Sequence, residues 1–232
     1  MSRTMAKASL HTAANLLFFT LIGTALLAVT FELTRDTIAE SEEKEKMKLI
    51  GQIVPETAYD NDIMKDVGQV AADEMLGSDE ATIVHRGRLN DESTIAVLEA
   101  IAPDGYGGKI KLIVAFHKDG KIGGVRVVTH NETPGLGDYI DIAKNQWITV
   151  FKGTSLENSR DRDWKVRKDG GTFDYMAGAT ITPRAIIKAV HKAAQYFALH
   201  RGELFKPVAQ DPNVAQDTPA ENKKASGKEK TK

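Results

Sequence analysis

From Thr12 to Leu33 the chain reads TAANLLFFTLIGTALLAVTFEL, apolar on every side, with Glu32 as its one charged residue. As a helix rising about 1.5 Å per residue, such a run covers about 30 Å, the thickness of a bilayer core. The pattern predicts a membrane-spanning anchor. A cleaved signal peptide is the competing reading, because Arg3 and Lys7 give a positive start. The apolar run is longer than a usual signal core, and it ends without a convincing small-x-small cleavage site before the charges begin. Residues 34–54 are rich in helix formers and in pairs at helical spacing, such as Glu42 and Lys46. They predict a juxtamembrane helix that stops before Pro55.

Beyond residue 80 the period changes. Residues 81–88 and 93–102 read as strands, and 109–116 and 121–130 as a hairpin around Asp119-Gly120. Tyr106-Gly107-Gly108 marks a tight approach before that hairpin. The stretch 56–80 gives only short helix or loop. Residues 138–151 predict a helix with Asp138 as its N-cap, and 163–171 a short strand or turn. Residues 183–202 carry the clearest helical pattern, with Ile186, Val190, Ala193 and Phe197 on one face. Thr182 is the expected cap, Pro183 the first helical residue and Gly202 the stop. Mixed helices and strands with an antiparallel hairpin make the class α+β. The organisation expected is an N-terminal segment at 1–11, the anchor at 12–33, the juxtamembrane helix at 34–54, one domain at 55–206 and a polar, disordered tail at 207–232.

Composition narrows the chemistry. The 232 residues suit one anchor and one ordinary domain, and the net charge of -1 gives no signature for nucleic acid. Cysteine is absent. Disulfides, thiolate iron–sulfur clusters, Cys-ligated zinc and C-x-x-C-H haem attachment are therefore excluded. A redox role would rest on another cofactor, of which flavin is the obvious candidate. Arg3 and Lys7 precede the span and acidic residues follow it, which predicts a cytoplasmic N-terminus and an extracytoplasmic domain. The single span holds no ionisable residue at its centre, so an ion path is not expected in it.

Two stretches could carry chemistry. Phe173–Thr182 reads FDYMAGATIT, small-residue chain running into the last helix. A phosphate on Thr180 would meet the free amides of a helix N-terminus, with Gly178 and Ala179 keeping bulk away. A tight strand-to-helix turn accounts for the same residues. Glu132–Gly137 reads ETPGLG, and Thr133-Pro134-Gly135-Leu136 has the signature of a type II turn. It is either a plain connection or a loop whose glycines free amides toward a planar ligand. The histidines form no metal-binding cluster by spacing. No nucleophile elbow and no G-x-G-x-x-G between strand and helix is found. The chain has no complete active site of its own.

Together, GYGGKIKLIVAF, the Asp-Gly hairpin, ETPGLG, Trp147 and Phe151, and D-x-x-A-G-A-T-I-T-P-R resemble the covalent FMN-binding domain family over about residues 93–200. That family includes the C subunit of sodium-translocating NADH:quinone reductase and the G subunit of the Rnf (Rsx) complex. The AGATITPRA form is similar to the Rnf G branch. The resemblance implies FMN joined through its phosphate to Thr180, with Asp174, Gly178 and Ala179 in the recognition motif. It implies that Glu132, Thr133, Leu136 and Gly137 line the flavin ring. Ala177 stands where the broad pattern has Ser or Thr. A separate FAD-dependent flavin transferase is implied for maturation, and other membrane subunits of the complex as partners. The implied role is an electron relay in a bacterial inner-membrane complex that couples ferredoxin and NAD chemistry to ion movement, with the domain in the periplasm. A membrane-anchored adaptor or sensor without covalent flavin is the rival reading.

Overall fold

The computed structural model describes residues 2–206, and the tail expected at 207–232 lies outside them. The chain divides into two units, one ending at Lys48 and the other beginning at Leu49. Helix α1 spans Ser2–Ile53, so its last residues belong to the second unit.

In the first unit, Leu16, Phe19, Leu27 and Phe31 are exposed. Among the described residues α1 is the one helix long and apolar enough to cross a membrane. Its threonines fit that setting. Thr12, Thr20, Thr30 and Thr34 each donate to the carbonyl four residues back, at 2.8–3.0 Å, so these four hydroxyls are satisfied within the helix. Farther along, Lys44–Glu40 and Lys48–Glu45 pair along the exposed surface at helical spacing. The helix ends at Ile53, two residues before Pro55.

The second unit is built on a five-stranded antiparallel meander, β1(Val67–Val70), β2(Thr82–Leu89), β3(Glu92–Gly105), β4(Gly108–His117) and β5(Ile122–Thr129), in that spatial order. The four longer strands match their predicted stretches. β1 was not legible: four residues, Val-Gly-Gln-Val, are too few to show alternation, and register with β2 defines it. Period-2 alternation then sorts the core. Ala96, Leu98, Ala100 and Ala102 of β3 face the same side as Ile110, Leu112, Val114 and Phe116 of β4. Helix α2(Ile181–Leu204) covers that side with Ile186, Val190, Ala193 and Phe197. Phe116 stacks on Phe197 with ring centroids 4.6 Å apart. On the other side, Ile95, Val97, Ile113 and Ala115 are covered by Ile50, Ile53, Val54 and Ile63. β5 admits Ile53 because Gly124 has no side chain, and a Cβ there would lie 2.7 Å from the Ile53 side chain.

Five expectations are corrected. Residues 138–151 form no continuous helix but two 3-10 turns, Asp138–Ile140 and Gln146–Phe151. Asp141 and Asn145 break it by accepting local amides: Ala143 N donates to Asp141 Oδ1 at 2.9 Å and Trp147 N to Asn145 Oδ1 at 2.9 Å. Short Asx side chains compete with the helix for these donors. Nor is Asp138 the cap: Gly137 holds that position, and Asp138 Oδ1 accepts Gly135 N at 2.8 Å. Helix α2 begins at Ile181 after Thr180, so Thr182 lies inside its first turn and Pro183 is its third residue. Proline is tolerated there because first-turn amides have no intrahelical acceptor. The helix also runs through Gly202 to Leu204. Arg86 Nε donates to Leu204 O at 2.7 Å and satisfies one of the last carbonyls.

Truncating Phe197 to Ala removes the ring stacked on Phe116 from a fully packed interface. The expected loss is about 3–5 kcal/mol of stability, read from chemical denaturation of the second unit.

Candidate functional site

Two loops meet at the start of α2. The first follows β5. Leu136 N donates to Thr133 O at 3.1 Å and Gly135 has φ +77°, which is the type II turn that Pro134-Gly135 predicts. The turn holds Leu136 half exposed at the surface. The second loop is Asp174–Thr180. Ala179 N donates to Met176 O at 3.1 Å across Ala177-Gly178, with Gly178 at φ +89°. Only a residue without Cβ takes that conformation freely, and a Cβ on Gly178 or Gly135 would meet no atom within 4 Å. Both turns therefore face open space.

Side chains absent from the expected set tie the loops together. Trp147 Nε1 donates to Asp174 O at 2.7 Å. The buried Tyr139 hydroxyl lies 3.5 Å from both Ala179 O and Met176 N, and its ring packs edge-on against Trp147. Burial pushes the Tyr139 phenol above its ordinary value; the Met176 amide opposes this and the Glu132 charge adds to it. Trp147 was visible in the sequence as part of a pattern, but nothing there marked Tyr139 or Thr182 as site residues.

The expected residues divide by depth. Thr133, Leu136, Asp174 and Gly178 are exposed, Thr180 is half-buried, and Ala179, Gly137 and Glu132 are buried. Thr180 occupies the N-cap position of α2, and its hydroxyl makes no capping bond. Glu132 lies under the loop: Oε2 accepts Thr182 Oγ1 at 2.5 Å and Oε1 accepts Gly107 N at 3.0 Å. Asp174 pairs with Arg167 at 3.1 Å. Arg184, one helical turn past Thr180, grips Asp169 through two bonds of 2.6 and 2.7 Å. That guanidinium holds the Asp169 carboxyl below the usual carboxylate range.

The arrangement can hold an anion at Thr180. The free hydroxyl sits at a helix N-terminus, where the first amides and the helix dipole favour negative charge. Leu136, Tyr175, Met176 and Ile181 give an exposed apolar surface around it. The residues present thus fit a phosphate with a flat organic group attached.

Beside this site a groove of about 570 Å³ runs along α2 from Arg184 to His191, with Trp164 and Val166 among its walls. His191 stacks flat on Trp164 at 4.8 Å, with Nε2 3.4 Å from Asp161. Burial lowers the His191 pKa, and Asp161 partly offsets this.

A five-stranded antiparallel sheet crossed by one helix, with a glycine-containing loop at that helix's N-terminus, defines an α+β domain. The FMN-binding domain family matches residues 105–195, and the RnfG N-terminal region matches residues 1–53. The G subunit of the ion-translocating oxidoreductase complex of Aliivibrio fischeri strain MJ11 is 44% identical over 88% of this chain and 96% of its own length. The G subunits of the same complex in Pseudomonas aeruginosa strain UCBPP-PA14 and in Shewanella oneidensis are 41% and 43% identical, over 87% and 82% of this chain and 94% and 90% of theirs. The chain belongs to the family of G subunits of ion-translocating oxidoreductase complexes.

The lowered His191 value sets a pH dependence. An unfolded imidazole protonates near 6.5 and the folded one only below that, so the contribution is complete above 6.5 and is lost as pH falls below it. Between pH 7.5 and pH 5.5, thermal melts of the unmodified chain are expected to fall further than those of His191→Gln.

Proposed function

We propose that this chain is an electron-relay subunit that carries FMN esterified to Thr180. The observation that supports it most directly is the placement of the Thr180 hydroxyl, unbonded, at the N-terminus of α2 beside an exposed apolar surface. A flavin takes up one or two electrons and can pass them on singly. The chain supplies position and electrostatics. The first-turn amides stabilise the phosphate charge, Gly178 lets the nucleotide approach the backbone, and Asp174 and Ala179 shape the acceptor loop. Thr133, Leu136 and Gly137 form the surface against which the ring rests, with Glu132 beneath them.

Attachment is a group transfer from FAD by a separate flavin transferase. The Thr180 oxygen bonds to the phosphorus of the flavin half, the pyrophosphate bond breaks, AMP leaves and the hydroxyl proton is released. Thr180 is the acceptor, not a catalyst. A covalent tether abolishes loss of the cofactor by dissociation, which matters in a domain facing a large external volume. In this reading residues 12–33 span the bacterial inner membrane, residues 1–11 are cytoplasmic and the second unit is periplasmic. The subunit relays electrons among the other membrane subunits of a complex that couples transfer between ferredoxin and NAD to ion translocation. The family and the apolar α1 support membership of such a complex.

Denaturing electrophoresis under ultraviolet light is expected to show a fluorescent band for the matured chain and for Thr180→Ser, and none for Thr180→Ala. A non-fluorescent wild-type band would favour an anchored adaptor instead. The natural sequence has no cysteine. A single cysteine introduced at Lys118 is therefore expected to react with a membrane-impermeant maleimide once the outer membrane is opened. Labelling only after the inner membrane is lysed would reverse the topology.

A further inference from the structure

We propose that Glu132 is a positioning residue that sets the acceptor threonine in place, rather than a ligand of the flavin ring; the inference rests on the reading of Thr180 as the acceptor. Three segments of the chain meet at Glu132. Oε1 accepts Gly107 N from the β3–β4 turn at 3.0 Å. Oε2 accepts Thr182 Oγ1 from the first turn of α2 at 2.5 Å. Glu132 itself begins the Pro134 loop, and its own N–H donates to His130 Nδ1 at 3.1 Å. Thr182 is only two residues from Thr180, within the same helical turn. The bond to Thr182 therefore fixes how the N-cap hydroxyl stands relative to the Leu136 loop.

The surroundings leave the carboxylate no other place. Glu132 is 4% exposed. A Cβ on Gly137 would lie 2.6 Å from Oε2, and one on Gly105 2.9 Å from Oε1. A Cβ on Gly107 would lie 2.0 Å from Asn131 O, so the turn can reach Glu132 only as glycine. Swinging outward to meet a planar ligand would leave the Gly107 amide and the buried Thr182 hydroxyl without their acceptor, which is costly in a buried site. Both donors are neutral, and Glu132 makes no ion pair among the described residues. The carboxylate thus acts by geometry, joining three segments that are far apart in sequence.

The test uses the full-length chain in detergent micelles, made without flavin and then given FAD and an FAD-dependent flavin transferase. The rate of covalent labelling is followed by in-gel fluorescence well below the melting temperature. Glu132→Met keeps the chain length and removes both acceptor oxygens, and Thr182→Val replaces the hydroxyl with a methyl. Each is expected to slow labelling by about tenfold or more, whereas Thr182→Ser keeps the wild-type rate. The double variant should be no slower than the slower single one, because both changes break one contact. Labelling of Glu132→Met and Thr182→Val at the wild-type rate, even with lowered melting temperatures, would overturn the inference. So would single effects that multiply in the double variant. Failure of the wild type to label, or labelling of Thr180→Ala, would instead overturn the acceptor reading beneath it.

Discussion

The second unit depends on one buried hydrogen-bonded junction, where the Glu132 carboxylate is shared between the Gly107 amide and the Thr182 hydroxyl. Without it the β3–β4 turn, the Pro134 loop and the N-terminus of α2 would have no common reference point. Packing alone does not supply one. The hydrophobic core beneath fixes α2 along the sheet through Ile186, Val190 and Phe197, but those contacts are non-directional. A directional bond between a carboxylate and a hydroxyl sets the end of the helix. The glycines at 105 and 137 are the complement of that junction, since a side chain at either would crowd the carboxylate, and Gly107 lets its turn pass close to Asn131 O.

The two units solve different problems with the same helix. Through the apolar stretch of α1 the large side chains stay exposed and the Thr20 and Thr30 hydroxyls turn inward to the backbone, as suits a candidate membrane span. From Leu49 onward the same helix becomes part of a water-soluble core, with Ile50 and Ile53 buried against the sheet. Pro55 ends it.

Much of this was legible in the sequence where a pattern repeats. The apolar run of α1, the alternation in β2 to β5 and the helical face of α2 each contain several independent positions that agree. The turn at Thr133–Leu136 was legible because Pro134-Gly135 admits few conformations. What stayed hidden depended on single side chains. Asp141 and Asn145 divert two amides and split an expected helix into 3-10 turns, and β1 is defined by its neighbour and not by its own residues. Thr182 reads as a cap by type and position, yet its hydroxyl is claimed by a carboxylate fifty residues away in sequence. Such long-range pairings leave no local mark. The reading of Thr180 as an acceptor rests on resemblance to a family, because small residues before a helix suit a plain turn equally well.

The central claim is a covalent one, so mass measures it most directly. Intact-protein mass spectrometry of the matured chain, followed by sequencing of the peptide that contains Thr180, is predicted to find the added mass of one esterified flavin mononucleotide on that residue. A matured protein with the mass of its amino acids alone, or with flavin attached elsewhere, would contradict the account.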